Sequence, residues 1–224
     1  MIRLAILISG RGSNMLSLAD AIEKYRIDAK IVLVISNKDC DGIALAAARG
    51  LATKVVKRSD FYNRPAHDAA IASSIENCRA DYVFLAGYMA ILGAVFVDQF
   101  AGRLINIHPS LLPAFKGLDT HQRAIDAGAK THGVSIHLVN AKLDDGPLIL
   151  QASLAVDETD TAKGLAGRVL QLEHQIYPFV LFSLAARTVT LLPDGVVWHA
   201  KTLAAAPAAM QTVLAPCVIW PDVS

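Results

Sequence analysis

The chain is poor in the residues that would commit it to several large classes of protein. It has three cysteines, Cys40, Cys78 and Cys217, an odd count with no two at a zinc or redox spacing. A disulfide framework is therefore not expected; free thiols in a reducing cytosol are. An excess of one charge is also missing: 21 Lys and Arg against 20 Asp and Glu leave a net charge of +1. No basic stripe of the kind that tracks a nucleic acid is present. The densest basic stretch, Lys54 to Arg58, has Val55 and Val56 between its charges and reads as an exposed strand end. No run approaches the roughly 18 apolar residues of a membrane span. The apolar start, Met1 to Ser9, is short for a signal peptide and leads into a Gly-rich turn, not a small-residue cleavage site. These absences predict a cytoplasmic protein with no nucleic-acid or membrane partner.

What is present is material for one large core: 224 residues, 54% hydrophobic and 18% charged. Continuous apolar runs at Leu4–Ile8, Ile31–Ile35, Thr53–Val56, Tyr82–Leu85 and Leu104–Ile107 alternate with helical patterns at Met15–Tyr25, Ile43–Arg49, Pro65–Asn77 and Gly93–Phe100. Strands of this kind, separated by helices, predict an α/β fold: a Rossmann-like, mostly parallel sheet with helices on both faces. After residue 108 the rhythm changes. A loop with Pro109, Pro113 and Gly117 precedes a helix at Thr120–Ala127, two strands at Val134–Val139 and Leu148–Ala155, and a long helix from Thr161 to Ala185. Antiparallel additions are expected in this C-terminal half. The division expected is a catalytic unit over residues 1–190 and a C-terminal hairpin and tail over 191–224, turning at Pro193-Asp194-Gly195, with the Ala/Pro-rich tail peripheral and partly loose.

Ser9-Gly10-Arg11-Gly12-Ser13-Asn14 falls between the first strand and first helix. At that point of a parallel sheet, unpaired backbone N–H groups and the helix dipole face an anion. A phosphate cradle is one reading; a tight turn with Ser13 or Asn14 as N-cap is the other. A dinucleotide fingerprint would need glycine where Met15 stands, and no Gly-Lys-Ser/Thr follows to make a P-loop.

Asn106 and His108 are two apart at the end of the fifth strand, so they share a face at the edge where α/β enzymes place chemistry. An amide donor beside an imidazole can hold an oxyanion and move a proton. No serine or cysteine sits with the pair as a nucleophile, which suits direct attack by a substrate group; a strand-end pair that merely caps the next turn is the plainer alternative. Asp144-Asp145-Gly146-Pro147 is ordinary turn chemistry by itself. Brought beside His108, a carboxylate there would favour the imidazolium and accept a proton, but spacing does not show whether Asp144 reaches it. His132 and His137 are five apart and face opposite ways on a strand, and no third or fourth ligand converges with them, so no metal is expected.

Taken in order, Ser9–Asn14, Asn106-Ile107-His108-Pro109-Ser110-Leu111-Leu112-Pro113, His132–His137, Asp144–Pro147, Glu173-His174 and Tyr177-Pro178 resemble the folate-dependent formyltransferases, and within them the phosphoribosylglycinamide formyltransferases of purine synthesis. The resemblance spans about residues 1 to 190. It implies transfer of a formyl group from 10-formyltetrahydrofolate, as cosubstrate, to the amine of glycinamide ribonucleotide, with no metal, by a monomer or homodimer. It implies Asn106, His108 and Asp144 as catalytic residues. Gly12, Ser13, Asn14, Pro109 and Glu173 would hold the ribonucleotide. Arg64, Met89, Ala90, Ile91, Leu92, Val139 and Asn140 would hold the folate, with Arg64 toward its glutamate tail. The chain departs from the family at Ala90, where arginine is common, and at Asp119, where some members have histidine. The nearest rival, formyltetrahydrofolate hydrolase, normally carries a regulatory domain ahead of a first strand that here is expected to open near residue 3. A methionyl-tRNA formyltransferase would need a C-terminal RNA-binding domain and a basic face, and a non-catalytic nucleotide-binding module would leave Asn106, His108 and Asp144 idle.

Overall fold

The computed structural model describes residues 1–199 and 203–221. The apolar runs form β1 (Ile2–Ile8), β2 (Ala29–Ser36), β3 (Thr53–Val55), β4 (Tyr82–Leu85) and β5 (Leu104–His108). Adjacent members pair in parallel. Then β6 (Thr131–Leu138) pairs antiparallel with β5, and β7 (Leu148–Ala155) antiparallel with β6. The complete sheet has the order β10-β7-β6-β5-β4-β1-β2-β3, where β10 is Val218–Ile219. The order reverses beside β1, between β2 and β4, and this is where an open α/β sheet leaves a crevice at its carboxyl ends.

Side-chain alternation divides the core into two layers. Leu4, Ile6 and Ile8 of β1 pack with Met15 and Leu18 of α1 (Ser13–Tyr25) and with Val169, Ile176 and Val180 of α6 (Ala162–Ala185). Ala5 and Leu7 pack on the other face with Ile71 and Ile75 of α3 (Arg64–Asn77) and Phe96 of α4 (Ala94–Gln99). On β5, Ile105 and Ile107 belong to the first layer and Leu104 to the second. Asn106 and His108 therefore share the second face, as their spacing requires. The long helix is keyed to the sheet by Tyr177, whose ring stacks on Phe84 at 4.7 Å and whose hydroxyl reaches the carbonyls of Leu85 and Ile105 at 3.2 and 3.1 Å.

The remaining helices are α2 (Asp41–Ala48), α5 (Thr120–Asp126) and α7 (Ala208–Leu214), and β8 (Val189–Leu192) and β9 (Gly195–Trp198) form the expected hairpin. The C-terminal segment differs from the expectation of a peripheral tail. Met210 and Leu214 of α7 are buried in the first core layer, and β10 extends the main sheet beyond β7. Trp220 packs edge-on against Trp198 at 4.8 Å. The sequence pattern hid this because the segment is short and its apolar contacts lie far away along the chain.

Candidate active site

The loop after β5 brings the strand-end polar residues together. His108 is 5% exposed. Its Nε2 lies 3.0 Å from the Phe115 carbonyl oxygen and its Nδ1 3.4 Å from Asp144 Oδ2. Both ring nitrogens thus face acceptors, an arrangement that a doubly protonated ring satisfies on both sides. The reach of Asp144 to His108, left open by spacing, is therefore present. Asp144 stands at φ +47° in the 139–147 turn, and its Oδ2 also accepts the Gly117 N–H at 2.9 Å. Its neighbour Asp145 turns the other way and pairs with Lys116, whose ammonium holds that carboxyl below the usual range. Two adjacent acids are thereby separated into an inward carboxylate and a surface ion pair.

His137, not counted among the candidates from sequence, belongs to this cluster. The β5–β6 register sets it directly opposite Asn106. Its Nδ1 is 2.8 Å from the Leu138 carbonyl oxygen, so Nδ1 carries the proton and Nε2 accepts from Asn106 Nδ2 at 3.2 Å. Burial pushes His137 toward its neutral form, in keeping with that tautomer. An amide nitrogen has two hydrogens; with one given to His137, the second is free for a ligand oxygen. The signal for this residue was its pairing register, which no local pattern reveals.

His132 faces the opposite way, as expected. Its Nε2 is 3.2 Å from Nδ1 of His121 on α5. It is 1% exposed, and burial, with the charges of His121 and His108 adding to it, pushes it down to about 4. Such a group binds a proton in the unfolded chain below 6.5 and not in the fold, so its contribution is intact above pH 6.5 and is lost as pH falls toward 4. Urea midpoints are expected to show a stability loss on the order of 2 kcal/mol between pH 7 and 5, with a visibly shallower slope in His132→Leu. Among the described residues, no cluster of His, Cys, Asp and Glu could hold a metal ion.

Along the same carboxyl edge of the sheet, after β1, the glycine loop turns at Gly12, with φ +75°. This corrects the N-cap reading: neither Ser13 nor Asn14 caps α1, and the cap position is Gly12 itself, with no side-chain hydrogen bond. The first-turn amides of α1 are thus left to an outside acceptor. The loop is seated on α2, where a Cβ at Gly42 would lie 2.6 Å from the Gly10 carbonyl oxygen. Asn14 points inward, and its Nδ2 donates to Glu173 Oε2 at 2.6 Å. Burial raises the Glu173 carboxyl, opposed by that hydrogen bond. Pro109, one residue past His108, holds its carbonyl against the Thr120 hydroxyl at 2.7 Å.

The residues named for a folate lie around the second face. Leu92 and Val139 both pack against the second core layer. The Met89 N–H donates to Ser9 Oγ at 2.8 Å, linking the 87–93 loop to the glycine loop. Met89 and Ile91 leave their side chains 70% and 69% exposed, and Ala90 between them is half-buried. Asn140 braces the Asp144 turn by donating to the Asp145 carbonyl at 3.2 Å. Arg64 Nε stands 3.7 Å from Asp68 Oδ2, which also accepts the Gly93 N–H at 2.8 Å. Asp119 sits at the start of α5 with φ +56° and makes no side-chain cap.

Comparison with known proteins places this arrangement in a context. Residues 2–181 match the family described as formyl transferase. The chain is 42% identical over 182 residues to the phosphoribosylglycinamide formyltransferase of Haemophilus influenzae, covering 81% of this chain and 86% of that one. It is 43% identical over 179 residues to the enzyme of the same name from Escherichia coli, covering 80% and 84%. Among solved structures it is similar to glycinamide ribonucleotide transformylase 1 from Symbiobacterium toebii, with a TM-score of 0.84 at 37% identity over 88% of this chain and 94% of that one. It is also similar to the phosphoribosylglycinamide formyltransferase from Brucella melitensis, with a TM-score of 0.79 at 47% identity over 83% and 96%.

Proposed function

The chain belongs to the formyl transferase family, and from that premise we propose that it transfers the formyl group of 10-formyltetrahydrofolate to the amine of glycinamide ribonucleotide, a step of purine synthesis. The observation that carries the reading is the run of contacts from Asn106 through His137 to Asp144 and on to His108, at the same carboxyl edge of the sheet as the Gly12 turn.

The folate is the cosubstrate and supplies an acyl carbon already activated on nitrogen. The residues present fit it: Met89 and Ile91, on the loop tied to the glycine loop, and Leu143, next to Asp144 in the chain, leave apolar surface exposed, and a bicyclic aromatic ligand calls for an apolar wall with a polar edge. Arg64 offers a cation to the glutamate tail. Ala90 adds none, so the tail is held less tightly than an arginine there would hold it, or by another residue. The ribonucleotide phosphate takes the first-turn amides at Gly12, Ser13 and Asn14, and Glu173 takes the ribose hydroxyls. The three cysteines, none in a disulfide, suit a cytoplasmic enzyme.

The substrate amine attacks the formyl carbon directly. As the tetrahedral oxyanion forms, the free Nδ2 hydrogen of Asn106 and the imidazolium of His108 stabilise it. The proton that His108 shares with the Phe115 carbonyl in the free protein is the one redirected to the substrate oxygen. Asp144 takes the amine proton through water and returns it to the folate nitrogen as the carbon–nitrogen bond to the folate breaks. The products are the formylated ribonucleotide and tetrahydrofolate.

A spectrophotometric assay with 10-formyl-dideazafolate tests this: turnover is expected only with glycinamide ribonucleotide present. Turnover without it would point to a hydrolase, and none in either case to a different acceptor or a binding module. The ribose contact has its own signature. Glu173→Gln is expected to raise KM for the ribonucleotide about tenfold, the scale of a lost hydrogen bond to a charged group, with kcat changed far less in steady-state kinetics.

A further inference from the structure

Ser135 stands directly opposite His108 in the β5–β6 register, and its hydroxyl is the centre of a closed knot. Oγ donates to the Ser110 carbonyl at 2.6 Å and accepts from the Leu112 N–H at 2.9 Å. It also accepts from Gln151 Nε2 at 2.7 Å, while that same nitrogen donates to the Leu112 carbonyl at 3.0 Å. The hydroxyl's one hydrogen and two lone pairs are all used. Ser110 in turn donates its N–H to the His108 carbonyl at 2.9 Å. A path of hydrogen bonds therefore leads from Gln151 to the backbone of His108.

Gln151 lies on β7, which without β10 would be the outer strand of the sheet. Outer strands carry unpaired backbone groups on one side and open more readily. Here β10 covers that side, with Ile219 opposite Gln151, Val218 opposite Ala152, and the Ser153 N–H donating to the Cys217 carbonyl at 2.9 Å. The strand is anchored by Trp220 against Trp198 and Phe179 and by the buried Met210 and Leu214 just before it. The match to the family ends at residue 181, so the covering strand lies beyond it.

We propose that β10 and Gln151 form a brace for the segment from His108 to Pro113, making Gln151 a positioning residue and giving the C-terminal segment a part in catalysis without contact to substrate. The proposal rests on reading that segment as catalytic; turnover of the unaltered enzyme, measured alongside, tests that reading separately.

Three variants test the brace: Gln151→Met, which keeps bulk but loses both donors, Ile219→Pro, which removes a backbone donor from β10, and Trp220→Ala, which loosens the strand without touching β7 and serves where the proline variant does not fold. Each is assayed well below its melting temperature. Gln151→Met is expected to lower kcat about tenfold with the ribonucleotide KM within about twofold, as displacement of catalytic groups does. The two tail variants are expected to lower kcat about threefold, again without a KM change, and to add nothing in combination with Gln151→Met, because both act through one path. Full kcat in the folded tail variants, or losses that multiply in the double variant, would overturn the proposal, as would an effect confined to KM.

Discussion

His108→Ala is expected to lower kcat for formyl transfer by about a thousandfold, within the range that a positioned acid or base contributes, with the ribonucleotide KM little changed. The reason is geometric. The imidazole is 5% exposed and is held between the Phe115 carbonyl and the Asp144 carboxylate, so no water molecule substitutes for it with the same aim. The loss is expected in the chemical step because, in the proposed mechanism, the ring's stabilising hydrogen bond is made to an oxygen that carries charge only in the tetrahedral intermediate. Folding is expected to survive, since the main packing of β5 comes from Leu104, Ile105 and Ile107. Single-turnover kinetics with circular dichroism as the folding control checks both halves. Unchanged turnover would remove His108 from the mechanism.

Asp144→Asn is expected to cost about a hundredfold or more in kcat, because the proposed mechanism gives its carboxylate two tasks, complementing an imidazolium and accepting the amine proton. Asparagine keeps the shape and can still accept the Gly117 N–H, so the turn is expected to hold. Its amide, however, would present hydrogens or a neutral oxygen where His108 Nδ1 now meets a carboxylate 3.4 Å away. The surface neighbour provides the control: Asp145→Asn releases Lys116 and is expected to leave kcat within about twofold, as surface ion pairs contribute little. Parallel kcat and KM measurements on the two variants separate them. Equal losses would mean that the whole turn, and not the inward carboxylate, is what matters.

The sequence made the parallel half of the fold readable because a strand buried on both faces must be apolar throughout, and the runs at Leu4–Ile8 and Ile31–Ile35 admit little else. It also made Asn106 and His108 readable as a pair, since strand geometry alone puts them on one face. The reach from Asp144 to His108 depended on a turn with φ +47° at Asp144 that an Asp-Asp-Gly-Pro string permits without requiring. His137 was passed over because its place opposite Asn106 is a property of the β5–β6 register, not of anything near it in the chain. The alternative of an N-cap at Ser13 or Asn14 was offered because both are good capping residues in general. Here the left-handed turn fell on Gly12, and Asn14 found Glu173, 159 residues away in sequence. The C-terminal strand was missed for a related reason: two residues pairing with β7 leave no period to detect.

In the proposed reaction the formyl carbon passes straight from the folate nitrogen to the substrate amine. Carbon-13 NMR of a reaction with 10-[13C]formyltetrahydrofolate follows that carbon. All label is expected to appear as a formamide on the ribonucleotide, and the donor is expected to be stable without the acceptor. Label appearing as free formate, at the same rate with or without glycinamide ribonucleotide, would contradict it.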